Sequence, residues 1–160
     1  KFMDNIFEIL ETKEKDPLGG LYVHLFQPKK DITEPGKFIK KGTSVIKPGS
    51  FKTTLSYRMR TYLSPKQWHY PNTDKAAFKN EVIRSYLVFD ATELAESDRW
   101  LITGLEDKLM YLIEKYFETS KIGKGRSEYR EIKFISIKDF DDKIKLICTA
   151  INTIVSKNTD

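Results

Sequence analysis

This 160-residue sequence has almost no cysteine, and it contains no long apolar run and no internal repeat. A single cysteine, Cys148, excludes an internal disulfide and favours a reducing, intracellular compartment, cytoplasmic or nuclear. The apolar runs fall far short of the roughly 20 residues that a membrane helix needs, so we expect no membrane partner. No signal peptide or low-complexity tract is visible. The remaining composition, 39% hydrophobic and 32% charged, is typical of a globular domain with a real core.

The positive charge of the chain is unevenly placed. Residues 29–66 contain ten Lys and Arg against two acidic residues, a net +8, although the whole chain carries only +5. This predicts a surface that faces a polyanion, while a solvated lysine-rich face is the alternative. We predict one domain over residues 1–160, with a helical extension at 1–18 and an irregular insertion at 64–80. Because the sequence starts at Lys1, it is open whether this domain was excised from a longer parent chain with additional domains. Whether it forms a homodimer is also open.

Hydrophobic periodicity predicts the order of the elements. Helices are expected at 5–14, 52–63, 100–117 and 138–155, and strands at 21–26, 37–43, 81–90 and 128–134. Residues 44–50, with Pro48-Gly49, and the Gly/Lys-rich residues 121–127 are predicted loops. The first two strands are expected to form a hairpin that the third strand joins. The predicted fold is α/β (α+β): a small antiparallel or mixed three-stranded sheet flanked by helices, with a short C-terminal strand and helix.

Glu106 is a carboxylate on the apolar face of the predicted helix 100–117. At 100° per residue it falls between Ile113 and Phe117, whereas the other charged residues of the helix point away. A buried charge is costly unless a cation, an Arg or a proton meets it, so Glu106 is a candidate for a functional site. A carboxylate that reaches solvent or pairs with a nearby Lys is the alternative.

Five segments follow one another in a recognisable order. They are Gly20-Leu21-Tyr22 on the first strand, "FIKKGTS" at the second, "LSYRMRTYL" in the next helix, and "LEDKLMYLIEKYF" followed by "SEYREIKFIS" towards the end. In this order they resemble the GIY-YIG nuclease superfamily, in its branch where a lysine replaces the second motif tyrosine. The resemblance spans roughly residues 20–147.

The resemblance implies a fold, an activity and a set of site residues. It implies a GIY-YIG-like domain that hydrolyses phosphodiester bonds in DNA, most simply double-stranded DNA, with one Mg²⁺ or Mn²⁺ ion. Tyr22 would orient or deprotonate the attacking water, and Lys40 would take the role of the second tyrosine, with Lys41 as the open alternative. Arg58 would contact the scissile phosphate, and Glu106 would hold the metal.

The residue types agree with that chemistry. Mg²⁺ keeps most of its waters and needs only one or two protein carboxylates, and Arg offers a planar fork to phosphate oxygens. On the predicted helix 52–63, Arg58 lies at the edge of the apolar face and Arg60 points away from it. His24 shares a strand face with Tyr22. Its alternative roles are those of a proton acceptor, a metal neighbour, or a packed, hydrogen-bonded histidine. Tyr22 and the two lysines also have ordinary explanations, in strand packing and in protection of a sheet edge.

Other basic and aromatic residues are candidates for contact with nucleic acid. The aromatic residues of the insertion would stack on bases or hold a long loop down, and the Gly/Lys-rich loop would contact phosphates without being a P-loop. These candidates are Lys52, Arg60, Lys66, Trp68, His69, Lys121, Lys124 and Arg126. A metal-dependent DNA endonuclease is the first hypothesis; a binding module without turnover and an interaction domain without a nucleic-acid role are the alternatives.

Overall fold

The computed structural model describes residues 3–34, 37–63, 81–123 and 128–159. Within them the protein is a mixed α/β domain with an antiparallel sheet. Its α-helices are α1 (Ile6–Thr12), α2 (Leu55–Leu63), α3 (Leu101–Tyr116) and α4 (Ile137–Asn158). Its strands are β1 (Asp4–Asn5), β2 (Leu18–Phe26), β3 (Ile32–Glu34), β4 (Lys37–Ile39), β5 (Val45–Thr54), β6 (Val82–Asp90), β7 (Glu118–Lys121) and β8 (Arg130–Lys133). No helix of this described part is long and apolar enough to span a membrane.

The main sheet has six strands rather than the three expected. Their order is β1-β6-β2-β5-β8-β7, and β3 and β4 form a separate two-stranded sheet. The predicted hairpin between the first two strands is therefore wrong, because β2 pairs with β5 and β6. The predicted loop at 44–50 is wrong as well, since these residues begin β5 and the following helix starts only at Leu55.

Pro48-Gly49 lies inside a strand because of what neighbours it. Proline has no backbone N–H to donate to a neighbouring strand, so it is tolerated where one side of a strand has no hydrogen-bonded neighbour. Within the described residues, β8 pairs with β5 only at Val45 and Ile46. From Pro48 onward, β5 has β2 on one side, and among the strands that the structure describes none pairs with its other side, which we call the open edge of β5.

Helices cover both faces of the sheet, and β2 supplies side chains to both. Leu21, Val23 and Leu25 pack in one apolar cluster with α3 and α4. Tyr22 and Phe26 pack in a second cluster with residues of α1, α2 and the β3–β4 hairpin. The predicted alternation of β2 is thus confirmed, and it places the aromatic face of the strand under α2.

Two helix starts follow from capping side chains. Asn5 accepts a hydrogen bond from the backbone N–H of Glu8 at 3.1 Å, and Ser136 accepts one from that of Asp139 at 3.1 Å. Each cap satisfies an N–H group that has no partner within the helix. The predicted helices at 5–14, 100–117 and 138–155 and the strand at 81–90 are confirmed, with ends that differ by a few residues.

Candidate nuclease site

Tyr22 lies at the centre of the sheet, directly opposite Gly49 on β5. Its side chain is fully buried. A Cβ atom added at Gly49 would lie 2.3 Å from the Tyr22 hydroxyl oxygen, far inside van der Waals contact. Glycine is therefore required at this position, because the Tyr22 ring crosses the neighbouring strand at the point where any side chain would start.

Lys47 is a buried cation two residues before Gly49, on the same side of β5. It is 2% exposed, and its Nζ lies 2.6 Å from a carboxylate oxygen of Glu128. The same ammonium donates a hydrogen bond to the Pro48 carbonyl at 2.8 Å. It lies 5.9 Å from the ring centroids of both Tyr22 and Tyr129. Lys47 is thus held between two aromatic faces and one carboxylate, the kind of surroundings that a buried ammonium requires.

Neither Lys40 nor Lys41, the two candidates for the role of the second tyrosine, lies on the strands that flank Tyr22. Both are exposed and follow β4, which pairs with β3 outside the main sheet. The backbone N–H of Lys41 donates to the carboxylate of Asp31 at 2.8 Å. Lys47-Pro48-Gly49 repeats the Lys-x-Gly pattern seven residues later, and it is this copy that β5 places against β2.

Arg58 projects from α2 onto Tyr22. Its Nε donates to the Tyr22 hydroxyl at 3.2 Å, and its guanidinium carbon lies 5.9 Å from the ring centroid. Arg60, two residues later, is exposed and lies over the ring of Tyr57 on the outside of the helix. The helical periodicity therefore identified the correct one of the two arginines as the one that reaches the sheet.

Glu106 lies on α3 and is half-buried. Its carboxylate accepts a hydrogen bond from the Ser50 hydroxyl at 2.7 Å, one residue after Gly49. Glu106 and Arg58 line the same groove, together with Ser50, Phe51, Lys52, Thr53 and Tyr57. The groove runs along the open edge of β5, where α2 and α3 approach from opposite faces of the sheet.

Glu128 connects the two halves of this site. Besides its ion pair with Lys47, it lies beside the carboxyl group of Glu106. Burial raises the pKa of Glu128, but the charge and hydrogen bond of Lys47, helped by Arg58 and Glu106, outweigh burial and hold the pKa below its usual value of 4.5. Glu128 belongs to the segment SEYREIKFIS, but the sequence alone assigned it no role. Its position near the start of that segment is the feature that could have identified it.

His24 is a buried neighbour of the site and a neutral one. Its Nδ1 lies 2.7 Å from the Ser85 hydroxyl, and its ring centroid lies 5.0 Å from that of Tyr22. Burial, with the positive charges of Lys47 and Arg58 acting in the same direction, lowers its pKa to about 3. These contacts agree with the packed, hydrogen-bonded alternative for His24.

The residues expected to contact nucleic acid are only partly described. Lys52 is exposed and lines the groove, Arg60 is exposed on α2, and Lys121 is exposed at the end of β7. The other five lie outside the described residues: Lys66, Trp68, His69, Lys124 and Arg126.

The donors available to a metal at this site are few but suitable. Across residues 3–34, 37–63, 81–123 and 128–159, no group of three or more His, Cys, Asp and Glu side chains is arranged to hold an ion. The Glu106 carboxylate and the Ser50 hydroxyl, hydrogen-bonded at 2.7 Å, instead place their oxygen atoms side by side. One or two carboxylates with water completing the shell is the arrangement that Mg²⁺ accepts, so the donor set fits the ion.

Comparisons of the chain with models of protein families, with curated proteins and with solved structures found no match in any of the three.

Proposed function

We propose that this protein is a divalent-metal-dependent DNA endonuclease that uses a GIY-YIG-like site with Lys47 in the position of the second motif tyrosine. The observation that carries the proposal is convergence. Tyr22 is hydrogen-bonded to Arg58, Arg58 lines one groove with Glu106, and Lys47 lies over the Tyr22 ring and pairs with Glu128. Residues far apart in sequence thus meet around β5.

The charges of this set suit the hydrolysis of a phosphodiester. Hydrolysis adds a water oxygen to phosphorus and breaks the bond to one ester oxygen, with negative charge building on the phosphoryl oxygens. The guanidinium of Arg58 and the ammonium of Lys47 offer fixed positive charge to those oxygens. The Tyr22 side chain, held by Arg58, would orient the water or, as the phenolate, take its proton. A divalent ion held by Glu106 would stabilise the leaving oxygen.

The exposed cations beside the groove support DNA as the substrate. Lys52 lines the groove, and Arg60, two residues after Arg58, is exposed on the outer side of α2. Exposed lysines and arginines bind the phosphate backbone of a duplex without reading its sequence. The binding surface would therefore continue from the groove onto α2.

Cleavage of supercoiled plasmid DNA in Mg²⁺ or Mn²⁺ tests the proposal. We expect nicked or linear product that EDTA abolishes. Glu106→Gln should remove activity and leave the far-UV circular dichroism unchanged, whereas Asp107→Asn, the exposed neighbour on α3, should cleave as the wild type does. Equal rates in Glu106→Gln and the wild type would contradict the proposal.

A nucleic-acid-binding module without turnover is the second candidate, and one observation favours it. Tyr22 is fully buried and Lys47 is 2% exposed, so in this conformation neither side chain meets solvent. Salt-sensitive DNA binding with no product under any divalent ion would select this function over the first.

A further inference from the structure

Glu128 is the acidic group that the structure places against Lys47, and the proposed activity assigns it no catalytic role. Its side chain is half exposed, whereas that of Lys47 is 3% exposed. The carboxylate therefore reaches the buried ammonium from the solvent side. An ammonium on a flexible four-carbon stem has no fixed direction of its own, so its partners decide where it points.

The partners of Lys47 divide into fixed and movable ones. The Pro48 carbonyl accepts a hydrogen bond from the ammonium and belongs to the same strand as Lys47, so it is the fixed partner. The rings of Tyr22 and Tyr129 attract the charge at 5.9 Å without directing individual N–H bonds. Glu128, at 2.6 Å, supplies the short charge-assisted bond that has direction.

We propose that Glu128 is a positioning residue that fixes the Lys47 ammonium beside Tyr22. The inference rests on the proposed nuclease function for its kinetic consequence. The geometric part, that Glu128 holds Lys47 in place, is independent of any activity.

A double-mutant cycle tests the kinetic consequence. Single-turnover cleavage should fall about 10- to 100-fold in Glu128→Gln, which keeps the size of the side chain but loses its charge. DNA affinity should stay equal or rise, because a negative charge beside the phosphate site has gone. In Lys47→Met the Glu128→Gln change should have no further effect, since Glu128 acts through Lys47. Glu118→Gln, which removes one charge from an exposed ion pair with Lys133, is the matched control and should cleave normally.

Three kinetic outcomes would overturn the assignment. They are a wild-type rate in Glu128→Gln, rate losses that multiply in the double variant, and a loss that saturating Mn²⁺ restores, which would make Glu128 a metal ligand instead.

Amine labelling provides the readout that needs no activity. Acetylation of the native protein by an amine-reactive ester, followed by peptide mass spectrometry, should find Lys47 nearly unreactive in the wild type and in Glu118→Gln. Labelling of Lys47 should rise at least several-fold in Glu128→Gln, because the freed ammonium reaches solvent. Unchanged labelling would refute the positioning role, even if the wild type cleaves DNA. Raised labelling in a protein that never cleaves would retain this role and reject the nuclease.

Discussion

Replacing Gly49 by alanine should damage the site in a measurable way. The new Cβ would lie 2.3 Å from the Tyr22 hydroxyl oxygen and 2.4 Å from the ring carbon that bears it. Ordinary contact begins near 3.4 Å, so ring and strand must separate by about 1 Å. The ring has little freedom to give way, because Arg58 bonds its hydroxyl at 3.2 Å and the rings of His24 and Phe51 pack beside it. Overpacking of this kind costs about 1–3 kcal/mol.

Urea denaturation followed by circular dichroism measures that cost, and a second glycine provides the control. Gly104 lies on α3 with no atom within 4 Å of an added Cβ. Gly104→Ala should therefore raise the free energy of unfolding by about 0.5–1 kcal/mol, because alanine favours a helix. Gly49→Ala should lower that free energy by about 1–3 kcal/mol, and its cleavage rate should fall about 100-fold from the misplaced Tyr22. Equal stability of Gly49→Ala and the wild type would refute the packing described here.

Three further predictions concern charge and burial. The pKa of His24 is lowered to about 3 from 6.5, so the unfolded chain takes up this proton first as the pH falls. Stability should drop by about 1.4 kcal/mol per pH unit below 6.5 relative to His24→Asn, and parallel stability curves would contradict this. Burial raises the pKa of Cys148 to about 12, so a thiol reagent at pH 8 should label it only in denaturant; fast labelling of the native protein would disagree. Arg58→Ala should slow cleavage about 100-fold and Arg60→Ala far less, whereas equal losses would remove Arg58 from the site.

The periodic elements were predictable from the sequence because their apolar spacing is unambiguous. The alternation of β2 and the apolar face of α3 were confirmed, and so was the choice of Arg58 over Arg60. Each depends on local geometry that one segment carries by itself. The half-buried position of Glu106 follows from the same kind of spacing.

Strand pairing was not predictable, because it depends on neighbours far away in sequence. Pro48-Gly49 has the composition of a turn, and only the open edge of β5 makes it acceptable in a strand. The same ambiguity hid Lys47, since the Lys-Lys-Gly before it matched the motif equally well. β8 falls within the strand predicted at 128–134, whereas β1 and β7, two and four residues long, are too short to show a clear period. The place of these three strands in the sheet depends on pairing alone.

A comparison of Lys47→Met with Lys40→Met tests the central claim most directly. Both variants remove one lysine from a Lys-x-Gly sequence, but Lys47 contacts Tyr22 and Glu128, whereas Lys40 is exposed beside β4. The cleavage rate of plasmid DNA in Mg²⁺, measured at equal protein concentration, should fall about 100- to 1,000-fold in Lys47→Met and stay within a few-fold of the wild type in Lys40→Met. A normal rate in Lys47→Met, or a loss confined to Lys40→Met, would contradict a nuclease site built around Lys47.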